Sequence, residues 1–167
     1  MRGPGSARVL GAVVALCAVL AAACGPTEAE TSADPLYWNA AYSVDADPFA
    51  DLDAAKADAA ATGRRILVEV GGDWCSWCHI LDAYLEDNAD VRAAFARSFL
   101  VLRVNWSPEN ENHAFLDAFP EITGYPHFFV LDAEGTLLHS QNTAELEEGP
   151  SYDHAAMMRF AEDWRAP

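Results

Sequence analysis

The residues with the clearest chemical potential lie in the stretch GGDWCSWCH, from Gly71 to His79. Cys75 and Cys78 are separated by two residues, a spacing that lets two thiols form a disulfide and exchange it with other thiols. The same pair, followed directly by His79, matches C-x-x-C-H, the signature by which a c-type haem is attached to a chain. The motif alone therefore leaves two hypotheses open, a thiol-disulfide exchanger and an electron carrier.

The distribution of cysteine favours chemistry over structural cross-linking. Of the four cysteines, Cys17 lies in an N-terminal apolar run and Cys24 directly follows that run, which leaves Cys75 and Cys78 for the folded part. An exported domain stabilised by disulfides usually carries more pairs, and two intervening residues close a loop too small to stabilise a fold much. We therefore expect this pair to be reactive.

The N-terminal residues have the composition of an export signal. Two arginines accompany an apolar run of 15 residues, Val9 to Ala23, which is too short for a retained bilayer-spanning helix. Small residues leading into Cys24 resemble the lipobox of bacterial lipoproteins, in which this cysteine is lipidated, although Ala21 stands where Leu is usual. Ordinary cleavage after an Ala-x-Ala sequence is the alternative. In both cases residues 1–23 are removed and the chain is exported to the bacterial cell envelope or periplasm.

Charge and length narrow the classes of partner. Residues 1–23 contain two of the ten Lys and Arg and none of the 26 Asp and Glu, so the remaining 144 residues carry a net charge of −18. Such an acidic chain repels nucleic acid and anionic headgroups, so we expect no nucleic-acid partner and no membrane contact beyond the lipid anchor. A single domain suits this length. We expect residues 24–47 to be the anchor cysteine, a flexible tether and a lead-in, and residues 48–167 to form the domain.

The order of the predicted elements indicates an α/β fold. Amphipathic and alanine-rich stretches predict helices over residues 51–62, 74–85, 91–96, 107–120 and 151–164, with Asp90, Ser107 and Ser151 as N-terminal caps. Short β-branched runs predict buried strands over residues 66–70 and 99–104 and a hairpin of residues 127–131 and 136–140. Helices on both faces of a central mixed sheet are the natural packing for this order. Residues 36–42 either add a strand or cover a sheet edge.

These features together resemble the thioredoxin superfamily, in particular its exported single-domain members with a WCxWCH-like motif. The resemblance extends over about residues 49–164 and rests on three features in the right order. The WCSWC motif follows the first buried strand, Glu69 lies in that strand six residues before the first cysteine, and Pro126 precedes a later strand. The implied fold is thioredoxin-like, with a central mixed β-sheet flanked by helices on both faces.

The resemblance implies distinct roles for the two thiols. Cys75, at the start of a helix, attacks a substrate disulfide as a thiolate, and Cys78 then resolves the mixed disulfide. Unpaired N–H groups and the helix dipole at such a position lower a thiol pKa from about 8.5 into the range of about 3.5 to 7.5.

Glu69 is the predicted proton carrier of the site. Burial among Ile66, Val68 and Val70 would raise the pKa of its carboxyl, which could then exchange a proton with Cys78 near neutral pH. Alternation along the strand leaves open that Glu69 points to solvent instead. The family usually has Asp here, which is one methylene shorter.

The resemblance also implies the substrate contacts. Pro126 is expected to be cis and to face the dithiol, although most X-Pro bonds are trans, and the backbone of Tyr125 is expected to pair with an extended substrate. Trp74 is expected to pack near the site. Trp77 offers a partly exposed docking surface for a substrate peptide.

Other classes of function fit the sequence less well. A haem would need a second axial ligand such as Met157 or Met158 and a largely helical wrapping, whereas the motif lies between a β-branched strand and an amphipathic helix. Zinc would need two further ligands in a recognisable spacing. We therefore expect no metal and no cofactor. His79 either favours the Cys75 thiolate or is an ordinary exposed helix residue, and a redox-inactive binding or chaperone module remains an alternative.

The sequence therefore predicts a monomeric thiol-disulfide oxidoreductase that acts on protein or peptide thiols and disulfides outside the cytoplasm. Ser76-Trp77 matches neither the Gly-Pro of reducing thioredoxins nor the Pro-His of strongly oxidising relatives, so the direction of electron flow stays open. An exported reductant needs an electron supply across the membrane, and an oxidant needs reoxidation. Either direction implies an unidentified redox partner, for which the membrane is one location.

Overall fold

The computed structural model describes residues 35–167 of the chain. The predicted signal peptide of residues 1–23, the lipidation site Cys24 and the tether of residues 26–34 lie outside the described residues. Among the helices of residues 35–167, none has the length and apolar character needed to cross a bilayer.

The centre of the fold is a mixed four-stranded sheet. Its strands are β1 (Arg65–Gly71), β2 (Phe99–Asn105), β3 (His127–Leu131) and β4 (Leu137–Asn142). Across the sheet they follow the order β2-β1-β3-β4; β1 and β2 are parallel, and the other two pairs are antiparallel. The first three strands are buried almost throughout, which explains why their sequences are continuous apolar runs rather than alternating ones.

Helices cover both faces of this sheet. Those in the described part of the chain are α1 (Pro48–Thr62), α2 (Ser76–Asp87), α3 (Ala89–Ser98), α4 (His113–Leu116) and α5 (His154–Asp163). A 3₁₀ helix (Thr143–Leu146) and a small antiparallel pair, β5 (Glu147–Glu148) with β6 (Ser151–Tyr152), connect β4 to α5. The predicted thioredoxin-like architecture is confirmed.

Helix α1 shows how local sequence sets the boundaries of an element. The Asp47 carboxylate accepts the N–H of Phe49 at 3.0 Å, and Pro48 occupies the first turn, where its missing N–H has no effect. Gly63 ends the helix in the left-handed conformation at φ 67°, as predicted. The helix begins three residues before the predicted start because the cap lies outside the alanine-rich run.

Each face of the sheet has its own apolar cluster, because alternate residues of a strand point to opposite faces. Leu67 of β1 joins the cluster formed with α2, α3 and α5, whereas Ile66 and Val68 join the cluster formed with α1 and Phe115. Glu69 and Gly71 follow Leu67 at intervals of two. The end of β1 therefore presents Glu69 to the face on which α2 lies.

Residues 35–42, hereafter the lead-in, run along the outer edge of β2. The Val101 N–H donates to the Leu36 carbonyl and the Trp38 N–H donates to the Val101 carbonyl, both at 2.8 Å. The Asn39 amide closes a two-way bond with the backbone of Arg103. The lead-in thus covers the sheet edge through an isolated bridge instead of adding a full strand.

The predicted helix of residues 107–120 is wrong in extent. Ser107 forms a turn in which its N–H and that of Asn110 each donate to the other residue's carbonyl, at 3.1 and 3.0 Å. The helix here is the four-residue α4. A Ser-Pro pair favours tight turns as well as helix starts, and in this chain the turn prevails.

Two predicted caps are displaced by neighbouring residues. Asn88, not Asp90, occupies the N-cap position of α3, so Asp90 lies in the first turn. Ser151 belongs to β6, and Asp153 caps α5 by accepting the N–H of Ala156 at 2.6 Å. Several cap-forming residues close together in sequence leave the helix start undetermined to within two residues.

Candidate active site

The two cysteines of the motif form a disulfide at the N-terminus of α2. Cys75 is the N-cap residue, and its Sγ accepts the N–H of Cys78 at 3.1 Å, where a serine or aspartate oxygen would usually stand. When the disulfide is open, this N–H and the positive end of the helix dipole stabilise a thiolate at Cys75. In the closed form both side chains are buried.

Two glycines allow the turn from β1 to α2 to lie against the disulfide. A Cβ placed on Gly71 would lie 2.5 Å from Cys78 Sγ and 2.8 Å from the hydroxyl oxygen of Tyr42. A Cβ on Gly72 would lie 2.6 Å from Trp74 Nε1. Any other residue would push these groups apart, so glycine is what permits the close approach.

Glu69 lies inside the protein with 1% of its surface exposed, which excludes the alternative that it points to solvent. The Tyr42 hydroxyl donates to its Oε1 at 2.5 Å. Burial raises the pKa of Glu69 to about 7 and outweighs the lowering by Arg103 and by the Tyr42 hydrogen bond, while Asp82 raises the pKa further. The carboxyl can therefore take up or release a proton near neutral pH.

Arg103 is the cation that faces Glu69, directly opposite it in the register of β1 and β2. Its guanidinium donates to the Asp82 carboxylate on α2 and to the Ala40 carbonyl, the latter at 2.9 Å. The guanidinium carbon lies 4.0 Å from the ring centre of Tyr37. Its Nε stays 3.8 Å from Glu69 Oε2, too far for a hydrogen bond. Arg103 thus interacts with two carboxylates, and its positive charge offsets the negative charge of Glu69 only in part.

An aromatic rim, formed by Trp74, Trp106 and Tyr125, borders the disulfide. The Trp74 indole donates to the Trp106 carbonyl at 2.6 Å and meets the Trp106 and Tyr125 rings edge to face, at 5.6 and 5.5 Å between centres. Trp106 stacks on Tyr125 at 5.0 Å. The Tyr125–Pro126 bond is cis. Trp74 precedes Cys75 directly, so its contact with Tyr125 brings the proline to the motif.

The two remaining motif residues of interest lie away from this rim. Trp77 is half-buried and meets Tyr152 edge to face at 5.7 Å, so only part of its ring is open to a partner. His79 is exposed, and its Nε2 lies 2.8 Å from the Asp73 carbonyl oxygen. That contact ties the ring to the loop before the cysteines.

Four residues of this site were not predicted from the sequence: Tyr42, Asp82, Arg103 and Trp106. Arg103 had a usable signal, because it interrupts a buried strand as Glu69 does and the two stand at the same position from the strand start. Charges at matched positions of neighbouring parallel strands can neutralise each other. Tyr42 and Trp106 carry no such local signal, since only the folded chain brings them to the motif.

Within residues 35–167, no three His, Cys, Asp or Glu side chains are placed to hold a metal ion.

The family is established by a sequence model. The family model described as thioredoxin-like matches residues 47–133, which include the disulfide, Glu69 and the cis-proline. The match covers more than half of the sequence, and the chain belongs to the thioredoxin-like family.

Solved structures share this fold. A disulphide isomerase from Xylella fastidiosa Temecula1 has a TM-score of 0.62 and 23% identity, over 75% of this chain and 97% of that one. The C-terminal domain of DsbD from Neisseria meningitidis has TM-scores of 0.52 in its oxidised form, at 19% identity, and 0.55 in its reduced form, at 18%. Both matches cover 72% of this chain and at least 97% of the DsbD domain. At such identities the likeness shows the fold alone, and no curated protein matches the sequence significantly.

Proposed function

We propose that this chain is a thiol-disulfide oxidoreductase that exchanges disulfides with protein or peptide thiols. The observation that carries the proposal is the Cys75–Cys78 disulfide at the N-terminus of α2, on the face of β1 that also presents Glu69. A structural cross-link would not need a buried carboxyl with a pKa of about 7 beside it.

The chemistry proceeds in two exchanges. In the reducing direction, the Cys75 thiolate attacks one sulfur of a substrate disulfide, a mixed disulfide forms, and the first substrate thiolate leaves. Cys78 then loses its proton towards Glu69 and attacks Cys75 Sγ, so that the internal disulfide closes and the second substrate thiolate leaves. In the oxidising direction the same steps run in reverse, and Glu69 returns the proton to Cys78.

The aromatic rim is the proposed place of substrate contact. Trp74 is 51% exposed next to the reactive cysteine, and the backbone of Tyr125, before the cis-proline, is available to an extended chain. Two grooves border the rim, one of about 420 Å³ that includes Trp106 and Tyr125 and one of about 390 Å³ that includes Tyr42 and Trp74. An extended peptide fits such open grooves better than a small enclosed ligand does.

The place of action in this proposal is outside the cytoplasm. The support is the N-terminal sequence, in which a short positive region and an apolar run lead into Cys24. Lipidation at Cys24 would tether the domain to a membrane through residues 26–34, and a membrane redox partner would then lie within reach. A mass measurement of the mature N-terminus tests the tether, since lipidation requires a diacylglyceryl increment at Cys24.

The activity is tested with the purified protein and two matched variants, Cys75→Ser and Cys78→Ser. We expect the wild type to show a reversible dithiol-disulfide equilibrium with a potential between about −270 and −120 mV and to reduce the disulfides of insulin. Cys75→Ser should lose all exchange. Cys78→Ser should still form a mixed disulfide with substrate but fail to release it.

Two results would contradict the proposal. Insulin reduction by Cys75→Ser at the wild-type rate would show that another group is the nucleophile. A wild-type disulfide that does not equilibrate with glutathione or dithiothreitol would favour a redox-inactive binding module instead. An absorbance spectrum of the same preparation tests haem attachment, because a Soret band would be incompatible with free thiols in the motif.

A further inference from the structure

The Tyr42 hydroxyl of the lead-in lies near both the buried carboxyl and the resolving cysteine. Its hydroxyl donates to Glu69 Oε1 at 2.5 Å. The same hydroxyl oxygen and Cys78 Sγ both lie within 3 Å of the point where a Gly71 Cβ would stand. The two atoms therefore lie no farther apart than the sum of those two distances, on the same side of β1.

The geometry of β1 explains this arrangement. Glu69 and Gly71 are two residues apart in one strand, so they face the same side of the sheet. The absence of a side chain at Gly71 leaves the space that Cys78 Sγ and the Tyr42 hydroxyl occupy together. The Tyr42 hydroxyl, which donates to the Glu69 carboxyl, thus shares the space at Gly71 with the Cys78 sulfur.

We propose that the Tyr42 hydroxyl is the relay through which a proton passes between Cys78 and Glu69. This inference rests on the proposed oxidoreductase function and adds a residue to it. Cys78 gives its S–H proton to the hydroxyl oxygen while the O–H proton of Tyr42 moves to the Glu69 carboxylate. The Cys78 thiolate then attacks Cys75 Sγ, the internal disulfide forms, the bond from Cys75 to substrate breaks, and the substrate leaves as a thiolate.

The surroundings of Tyr42 suit this role. Burial, followed by the negative charge of Glu69, raises the pKa of Tyr42 well above its usual value, so the phenol stays neutral and can both donate and accept. Tyr42 also lines the 390 Å³ groove with Trp74, so the relay lies between the buried carboxyl and a surface open to solvent. The other charged or titratable groups that act on Glu69 or Tyr42 are Arg103, Asp82, Tyr37 and Tyr152.

Tyr37 provides a matched control within the same lead-in. Its hydroxyl donates to Asp82 at 3.1 Å, and its ring lies against the same Arg103 guanidinium that Tyr42 contacts at 5.5 Å. None of its atoms is among the three that would lie nearest to a Cβ on Gly71. If Tyr42→Phe acted only by disturbing Arg103, Tyr37→Phe should have a similar effect. A relay function predicts an effect of Tyr42→Phe alone.

The test compares Tyr42→Phe and Tyr37→Phe in reaction with glutathione disulfide. The first glutathione released reports attack by Cys75, and the second reports resolution by Cys78. We expect Tyr42→Phe to slow the second release at least about tenfold at pH 7 and to leave the first within about twofold. Tyr37→Phe should leave both within about twofold, and urea unfolding of the oxidised proteins checks that both variants are folded.

A second comparison separates the relay from a purely structural effect. In a Glu69→Gln background the receiving carboxylate is absent, so adding Tyr42→Phe should slow the second release no further. The relay is overturned if Tyr42→Phe resolves as fast as the wild type, if Tyr37→Phe is equally slow, or if the two changes are additive. Failure of the oxidoreductase function itself would look different, because the wild type would then release no glutathione.

Discussion

Glu69 and Arg103 stand opposite each other on adjacent parallel strands, both almost fully buried, yet they do not form a close ion pair. Their nearest charged atoms, Oε2 and Nε, are 3.8 Å apart because the guanidinium is turned towards Asp82 and the Ala40 carbonyl. A tightly paired carboxyl would have a lowered pKa. The incomplete pairing instead lets burial dominate and keeps the pKa of Glu69 at about 7.

Glu69→Gln should make the oxidised protein more stable at alkaline pH. The Glu69 carboxyl titrates near 4.5 in the unfolded chain and near 7 in the folded protein. Wild-type stability therefore falls as the pH rises from 4.5 to 7, a loss of about 3 kcal/mol that is complete above the folded pKa and absent below pH 4.5. Urea unfolding at pH 4, 6 and 8 should show a gain for Glu69→Gln that grows over this range.

The exposed Glu86→Gln on α2 is the control for that experiment, and it should follow the wild type at every pH. A stability difference between Glu69→Gln and the wild type that is the same at pH 4 and pH 8 would contradict the raised pKa.

Asp82→Asn should lower the pKa of Glu69. Asp82 raises that pKa by its own negative charge and also holds the Arg103 guanidinium away from Glu69. Removing the charge acts in the same direction through both effects, so Glu69 should titrate below 7. Carbon-13 NMR of the glutamate carboxyls would measure the change, with the exposed Asp87→Asn on the same helix as control. An unchanged or higher pKa would contradict both the direct effect of the Asp82 charge and the proposed restraint of Arg103.

Trp74→Ala should weaken the reaction with peptide disulfides while sparing the chemistry. Half of the ring is exposed, and its partners are the other rings of the aromatic rim. We expect KM for a peptide disulfide to rise about five- to tenfold, as for a moderate hot spot, with little change for a small disulfide. Phe49→Ala is the control, because Phe49 is equally exposed at 52% but packs on Phe115. Equal increases of KM in both variants would show that Trp74 is not part of a substrate-binding surface.

The elements around the site were largely predictable because their signals are local. Continuous β-branched runs gave β1, β2 and β3 to within one residue at either end, and the glycines after β1 marked the turn into α2. The apolar strand around Glu69 favoured an interior position for its carboxyl, although alternation left a solvent-facing orientation open until the fold showed it buried. The burial of these elements is thus encoded in their own composition.

The supporting residues were not predictable in the same way. Tyr42 precedes Glu69 by 27 positions and comes from a segment that forms a bridge to β2 instead of a regular element. Its approach depends on where the lead-in crosses the end of the sheet, which no periodicity records. Trp106 accepts a hydrogen bond from Trp74 through its backbone carbonyl, a group that every residue has, and its ring contacts arise only in the folded chain. A residue buried within its own element can thus be recognised from a local pattern, whereas a residue brought to the site by tertiary packing cannot.

Gly71→Ala should damage the site through steric contact alone. The added methyl would lie 2.5 Å from Cys78 Sγ and 2.8 Å from the Tyr42 hydroxyl oxygen, so both groups must move. Such overpacking destabilises a protein by about 1–3 kcal/mol, and displacing the hydroxyl should also slow resolution by Cys78.

Gly124→Ala is the control for this substitution, because the nearest atom to its added Cβ is 3.8 Å away. That change should alter stability by no more than about 0.5 kcal/mol. Urea unfolding and the release of the second glutathione would be measured for both variants. If Gly71→Ala has the stability and the glutathione release of the wild type, β1 can shift enough to accommodate a side chain at this position. The close approach of Cys78 and Tyr42 would then not be needed for resolution.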